Sequence, residues 1–158
     1  EDDTYTNDGW VVNKYPGNPE LNANADASSY RHKPKPFRMA ELYLIAAEAA
    51  YRQSDASAVT HLNSLRAARG LAPVALSGDA LFTAIQEERA RELAFEGYRI
   101  TDLRRWKLGF KRHDLQNPIF IADAGSDFEA NADNPKFVWP IPNQDIQANS
   151  NLVQNPGW

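Results

Sequence analysis

The chain has 158 residues, of which 42% are hydrophobic, and this length and composition are enough for a single domain with a buried core. Its 17 basic and 21 acidic side chains give a net charge of −4, and because no long basic run is present, nucleic acid is not expected as a partner. The absence of cysteine excludes disulfide bonds, thiolate nucleophiles and zinc–thiolate sites.

The N-terminal segment, residues 1–36, is rich in Asn, Asp, Pro and Gly, which predicts irregular structure. It also contains Tyr5, Trp10 and Tyr30. Proteins bind sugars by placing the apolar face of a pyranose on an aromatic ring while polar side chains bind its hydroxyls, so these three residues are candidates for carbohydrate binding. The alternative, which we favour, is that Trp10 anchors the segment to the helices, because aromatic residues in irregular segments usually bury the body of the ring.

The next segment predicts a hairpin of two helices. Helix-forming residues cover Phe37–Arg52, and most positions there are apolar or small, so we expect this helix to pack on two sides. Asp55 is the predicted cap of a second helix, and Gly70 ends it. Apolar residues recur in the second helix at three-residue spacing, at Val59, Leu62 and Leu65.

Two further helices complete a predicted helical core over residues 37–108. Asp79 is the candidate cap of a third helix over about Ala80–Glu96, and Gly97 supplies the left-handed backbone that ends it. A shorter fourth helix is expected over Arg99–Trp106.

Turn-forming residues interrupt the rest of the chain. Residues 109–136 predict a variable surface loop, because Asn-Pro pairs and glycine break any periodicity there. The closing segment, residues 137–158, is apolar but rich in proline, which excludes a central strand; a short helical turn is expected near Asn143 to Ala148. We expect Trp106, Trp139 and Trp158 to be packing residues.

The third helix carries charged residues on its apolar stripe. A helical wheel places Arg89, Glu92 and Glu96 on the stripe that also holds Phe82, Ile85 and Leu93. A buried ion persists only where an opposite charge and hydrogen bonds meet it. The sequence therefore predicts a structural ion-pair network, formed by Arg89, Glu92 and Glu96 with Arg99 or Asp102.

The alternative is that Glu92 and Glu96 form the acid/base pair of a glycoside hydrolase. Neighbouring arginines would keep both carboxylates ionised and unable to donate a proton, so we expect no enzyme activity. The histidines lack metal-ligand spacing, and neither a phosphate-binding glycine loop nor a serine nucleophile motif is present. We therefore expect no metal site and no cofactor.

Three segments together resemble the C-terminal region of the SusD/RagB family. The first is FRMAELYLIAAEA at residues 37–49, and the second is ERARELAFEGYR at residues 88–99, continued by DLRRW at residues 102–106. The third is the tail, where WPIP at residues 139–142 leads to NPGW at residues 155–158. Their order and spacing make the joint match specific.

The resemblance implies a mainly α fold with a tetratricopeptide-like helix hairpin, further helices, long irregular loops and a proline-rich C-terminal segment. It implies a non-enzymatic, glycan-binding component of a polysaccharide uptake system in Bacteroidetes, which captures an oligo- or polysaccharide together with a TonB-dependent, SusC-like porin. Such proteins are lipid-anchored on the outward face of the outer membrane, and we expect the anchor to lie outside this chain. The alternative is a helical scaffold fragment that only docks to the porin, with sugar binding in a missing N-terminal part.

Overall fold

The computed structural model describes residues 14–15, 35–112 and 129–158. Most of the regular structure in these ranges is helical, which confirms the predicted mainly α fold. The helices are α1 (Met39–Arg52), α2 (Ser57–Ala68), α3 (Gly78–Glu92), α4 (Arg99–Trp106) and α5 (Asn143–Ala148). The chain divides into two compact units, residues 1–97 and 98–158, so the prediction of a single domain over residues 1–158 stays a prediction.

Helices α1 and α2 form the predicted hairpin, and α1 also packs against α3. The turn is tight because Ser54 takes a left-handed backbone at φ 58° and the Asp55 amide donates to the Ala50 carbonyl at 2.9 Å. The Asp55 carboxylate then accepts a hydrogen bond from the Ser57 amide at 2.8 Å, which satisfies a free N–H group at the start of α2. The core of this unit is built from apolar side chains of all three helices, among them Leu44, Ala47, Leu62, Leu65 and Ile85.

Helix α1 buries only one of its faces. The opposite face presents Met39, Leu42 and Ile45, which are 65%, 54% and 49% exposed, and Phe37 just before the helix is more exposed still. The expectation that this helix packs on two sides is therefore wrong for the structure described here. The helix nevertheless begins and ends within two residues of the predicted bounds.

Helix α3 ends four residues earlier than predicted. It stops at Glu92, and Phe95 and Gly97 then take left-handed backbone conformations at φ 63° and 86°. The ammonium group of Lys14 donates to the carbonyls of Glu92 and Ala94 at 2.9 and 2.7 Å. A cation thus satisfies acceptors at the C-terminal end of the helix, where the helix dipole is negative. Glu96 consequently lies in a turn and not on the helix.

The second unit begins with α4, whose bounds agree with the prediction. Strands β1 (Phe110–Lys111) and β2 (Glu129–Ala130) then pair antiparallel and bring together the two flanks of the loop predicted over residues 109–136. A side chain at Gly109 would collide with the Ala130 carbonyl, so glycine is needed for this close approach. Helix α5 is the helical turn expected at Asn143–Ala148.

In the described part of the chain, no helix is both long enough and apolar enough to cross a membrane.

Candidate functional site

The two acids at the end of α3 share one arginine. Arg38 lies immediately before α1, and its guanidinium donates from Nη1 to Glu92 Oε1 at 2.7 Å. The same guanidinium donates two hydrogen bonds to Glu96, from Nη2 to Oε1 at 2.7 Å and from Nε to Oε2 at 3.1 Å. This paired geometry fits the planar fork of a guanidinium to a carboxylate and gives strong, oriented hydrogen bonds.

Each acid also has a second cation. Arg69, which ends α2, donates from Nε and Nη2 to the two carboxylate oxygens of Glu92 at 2.8 and 2.7 Å. Lys14 forms an ion pair with Glu96. We call these five residues, Lys14, Arg38, Arg69, Glu92 and Glu96, the carboxylate cluster. The cluster joins the N-terminal segment, the beginning of α1, the end of α2 and the end of α3.

The cluster keeps both acids ionised. Hydrogen bonds from Arg69 lower the pKa of Glu92 most, burial opposes them, and the hydrogen bond from Arg38 adds to the lowering, so that the pKa falls from 4.5 to about 2. Burial raises the pKa of Glu96, but hydrogen bonds from Lys14 and Arg38 outweigh it and leave that pKa below its ordinary value. A general acid needs a pKa near the working pH, and neither carboxyl group has one.

The other members of the predicted network have different neighbours. Arg89 is buried, with Nη2 3.7 Å from a carboxylate oxygen of Glu41 on α1. Asp102 is buried in the second unit and accepts a hydrogen bond from Arg105 Nε at 2.8 Å, whereas Arg99 is exposed. A single network of Arg89, Glu92 and Glu96 with Arg99 or Asp102 stays a prediction.

Sequence reasoning missed three members of the cluster, Lys14, Arg38 and Arg69. Each belongs to a segment remote in sequence from Glu92, and a helical wheel compares only residues of one helix. One sequence signal could have indicated Arg38 and Arg69. Each lies at the boundary of an apolar helix, where a charged side chain can reach the end of a neighbouring helix.

A second buried acid ties α2 to α3. Glu88 accepts a hydrogen bond from Arg66 Nη1 at 2.8 Å, and Arg91 Nη2 lies 3.3 Å from the same carboxylate oxygen. Within the described ranges, no buried side-chain nitrogen or oxygen lacks a hydrogen-bond partner, and no group of three or more acids or histidines could hold a metal ion. The buried charges of the described helices therefore have a structural explanation.

The predicted carbohydrate-binding residues Tyr5, Trp10 and Tyr30 lie outside the described residues. Of the aromatic residues near them in sequence, Tyr15 is described, and its hydroxyl donates to the Phe95 carbonyl at 3.0 Å. This bond, with those of Lys14, fastens residues 14–15 to the turn after α3.

Two tryptophans of the closing segment are exposed, contrary to the expectation that they pack. Trp139 is 72% exposed and Trp158 is 53% exposed. Val138, next to Trp139, and Val153, five residues before Trp158, are also exposed, and Lys136 Nζ lies 6.0 Å from the centre of the Trp158 ring. We call these residues, Lys136, Val138, Trp139, Val153 and Trp158, the tail aromatic surface.

A groove of about 770 Å³ opens in the first unit, between the C-terminal end of α1 and the N-terminal ends of α2 and α3. Arg52, Asp55 and Ser77 contribute polar groups to its lining, and Val59 and Leu81 contribute apolar ones. Two aromatic rings stand beside it, those of Tyr51 and Phe82, but they stack on each other at 4.7 Å.

Comparison with known proteins gives a consistent result. The model of the SusD family matches residues 1–158. The chain is 38% identical over 135 residues to the SusD-like protein P2 of Formosa agariphila, a match that covers 78% of this chain and 25% of that protein. It also resembles the crystal structure of a SusD-like protein from Bacteroides fragilis, with a TM-score of 0.56, 27% identity and coverage of 82% of this chain and 29% of that one. The chain thus spans about a quarter of the length of these relatives.

Proposed function

We propose, from the premise that this chain belongs to the SusD family, that it is part of a non-catalytic glycan-capture protein of an outer-membrane polysaccharide uptake system. The observation that carries the proposal is the family match over residues 1–158. The similarity to two SusD-like proteins from different bacteria supports it.

The state of the carboxylate cluster supports a binding role over a hydrolytic one. Retaining and inverting glycosidases both need one carboxyl group that is protonated at the working pH and can give its proton to the leaving group. Arg69 and Arg38 instead stabilise Glu92 as an anion, and Glu96 shares Arg38. Protonation of either acid would require Arg38 or Arg69 to leave it, and these two arginines join the helices.

The resemblance supplies the rest of the proposal. The full-length protein would be lipid-anchored on the outward face of the outer membrane and would work with a TonB-dependent, SusC-like porin. The glycan, an oligo- or polysaccharide, would be held at the cell surface before import. No covalent step is assigned to this chain.

The exposed apolar face of α1 favours a second candidate function. Phe37, Met39, Leu42 and Ile45 present a row of large apolar side chains, and a patch of this kind on a helix is typical of a surface that contacts another protein segment. On this alternative, the chain is a helical scaffold that docks to the porin while other parts of the full-length protein bind the sugar.

Titration of the chain with glycans separates the two functions. The probes would be starch, xylan, laminarin, pectin and galactomannan in affinity gels, with calorimetry on maltoheptaose, xylohexaose and laminarihexaose. Glycan capture predicts retardation by at least one polysaccharide and saturable heat with its oligosaccharide. Failure of every probe, together with co-purification of the chain with a co-expressed SusC-like porin, would favour the scaffold function instead.

A further inference from the structure

The tail aromatic surface exposes large apolar rings that the fold has not buried. Burying an aromatic side chain is strongly favourable, so two tryptophans left largely in solvent, at Trp139 and Trp158, point to a surface that contacts something else. Phe137, two residues from Trp139, shows the contrast: it is buried and packs edge-on against Phe110 at 6.3 Å. The tail segment therefore has a buried side, which carries Phe137, and an open side, which carries Trp139 and Trp158.

Four side-chain hydrogen bonds hold the backbone of the open side. The Gln154 amide pairs with both backbone groups of Ile141, at 2.8 and 2.9 Å. Asn155 Nδ2 donates to the Trp139 carbonyl at 2.7 Å, and Trp158 Nε1 donates to the Val138 carbonyl at 2.8 Å. These four bonds hold the backbone of residues 138–141 beside residues 154–158, so the backbone under the tryptophan rings has little conformational freedom left to lose when a ligand binds.

Glycine at position 157 helps to place the Trp158 ring. Gly157 has φ 91°, and a Cβ atom there would lie 2.9 Å from Pro135 Cγ. Only glycine therefore allows the last residue to return over Lys136 and to reach the Val138 carbonyl.

We propose that the tail aromatic surface is a glycan-binding platform, on which the pyranose rings of an oligosaccharide stack on Trp139 and Trp158 while Lys136 binds hydroxyl or carboxylate oxygens of the sugar. This inference rests on the proposed function, glycan capture, and assigns the binding of the glycan to the tail aromatic surface. Tryptophan gives the broadest ring face for the apolar side of a sugar, and the ammonium group beside Trp158 supplies hydrogen-bond donors.

The groove of the first unit fits a sugar less well. Its two aromatic rings, Tyr51 and Phe82, already cover each other, and the Arg52 guanidinium lies 5.3 Å from the centre of the Phe82 ring. A sugar would have to displace these contacts to reach a ring face. On the tail, Trp139 needs no rearrangement to expose its ring.

The test uses the 158-residue chain and three variants: Trp139→Ala, Trp158→Ala and Phe37→Ala. Phe37 is a matched control, because it is an exposed aromatic residue outside the tail. Trp139→Phe, which keeps a smaller ring face, guards against misfolding, and thermal unfolding confirms that each variant is folded. Affinities are measured by calorimetry with maltoheptaose, xylohexaose and laminarihexaose.

For the oligosaccharide that binds, we expect Trp139→Ala and Trp158→Ala to weaken binding by about tenfold or more, Trp139→Phe to weaken it less, and Phe37→Ala to leave it unchanged. If the chain binds a glycan and the tail variants bind it as well as the original chain, this inference is overturned while glycan capture stands. If the original chain binds none of the three, this inference is overturned, and the proposed function is then decided by the wider panel of polysaccharides and by co-purification with the porin. Tail variants that lose only co-purification with the porin would show a protein-docking surface and overturn the inference as well.

Discussion

The carboxylate cluster and the tail aromatic surface use their residues in opposite ways. In the cluster, Glu92 and Glu96, which could be reactive, are enclosed by Arg38, Arg69 and Lys14 and contribute to the joining of helices. On the tail, the Trp139 carbonyl accepts a hydrogen bond from Asn155 and the Trp158 indole donates one to the Val138 carbonyl. Both tryptophan rings, which could fill a core, are left in solvent. The difference shows that the contacts around a side chain, more than its type, decide whether it stabilises the fold or is available to a partner.

The largest expected effect comes from removing the shared cation. Arg38→Ala leaves Glu96 with Lys14 and Glu92 with Arg69, but both acids lose hydrogen bonds in a partly buried place. We expect the free energy of unfolding to fall by roughly 3 kcal/mol in urea denaturation followed by circular dichroism.

Arg91→Ala is the matched control for that change. Arg91 also pairs with acids, but it is 57% exposed and its closest partner contact is 3.3 Å, so its loss should cost less than about 1 kcal/mol. Equal losses for the two variants would mean that the cluster contributes no more than an ordinary surface ion pair.

Phe137 and Trp139, two residues apart in the tail, contrast a buried ring with an exposed one. Phe137→Ala removes a buried ring and should lower the free energy of unfolding by about 3 kcal/mol, because a cavity replaces it. Trp139→Ala should change it by no more than about 0.5 kcal/mol, because the ring is mostly in solvent. Thermal unfolding of both variants checks the pair, and a large loss at Trp139 would show that its ring supports the fold.

Acid should weaken the first unit through Glu92. Its pKa is lower in the folded chain than its ordinary value, so the stabilisation is complete above pH of about 4.5 and is lost as the pH falls toward 2. Glu92→Gln should reduce stability at neutral pH and flatten this acid-dependent part of the curve. Urea denaturation at a series of pH values measures both effects, and an unchanged slope in the variant would assign the acid sensitivity to other carboxylates.

The sequence predicted the local elements better than the contacts between them. Helices α4 and α5 have the predicted bounds, because their starts and ends depend on nearby residues. The end of α3 was predicted four residues too late, and the cation that satisfies carbonyls there, Lys14, comes from far away in the chain. The partners of Glu92 were missed for the same reason, since Arg38 and Arg69 reach it only after the helices pack.

The tail shows a different limit of sequence reasoning. Trp139 and Trp158 were expected to pack because they lie in the proline-rich closing segment, but the pattern of such a segment does not indicate which side of it is buried. Hydrogen bonds from Gln154, Asn155 and the Trp158 indole hold this segment with Trp139 and Trp158 on its exposed side. None of these bonds has a sequence signature that could have been recognised beforehand.

The structural role of the carboxylate cluster is tested most directly by a carboxyl NMR titration of Glu92 and Glu96 in the folded chain, with carbon-13 in the side chains. We expect Glu92 to titrate with a pKa of about 2, and we expect the pKa of Glu96 to lie below its ordinary value of 4.5. A pKa between 5 and 7 for either carboxyl group, in the range of a glycosidase acid, would contradict the structural role of the cluster and reopen the case for catalysis.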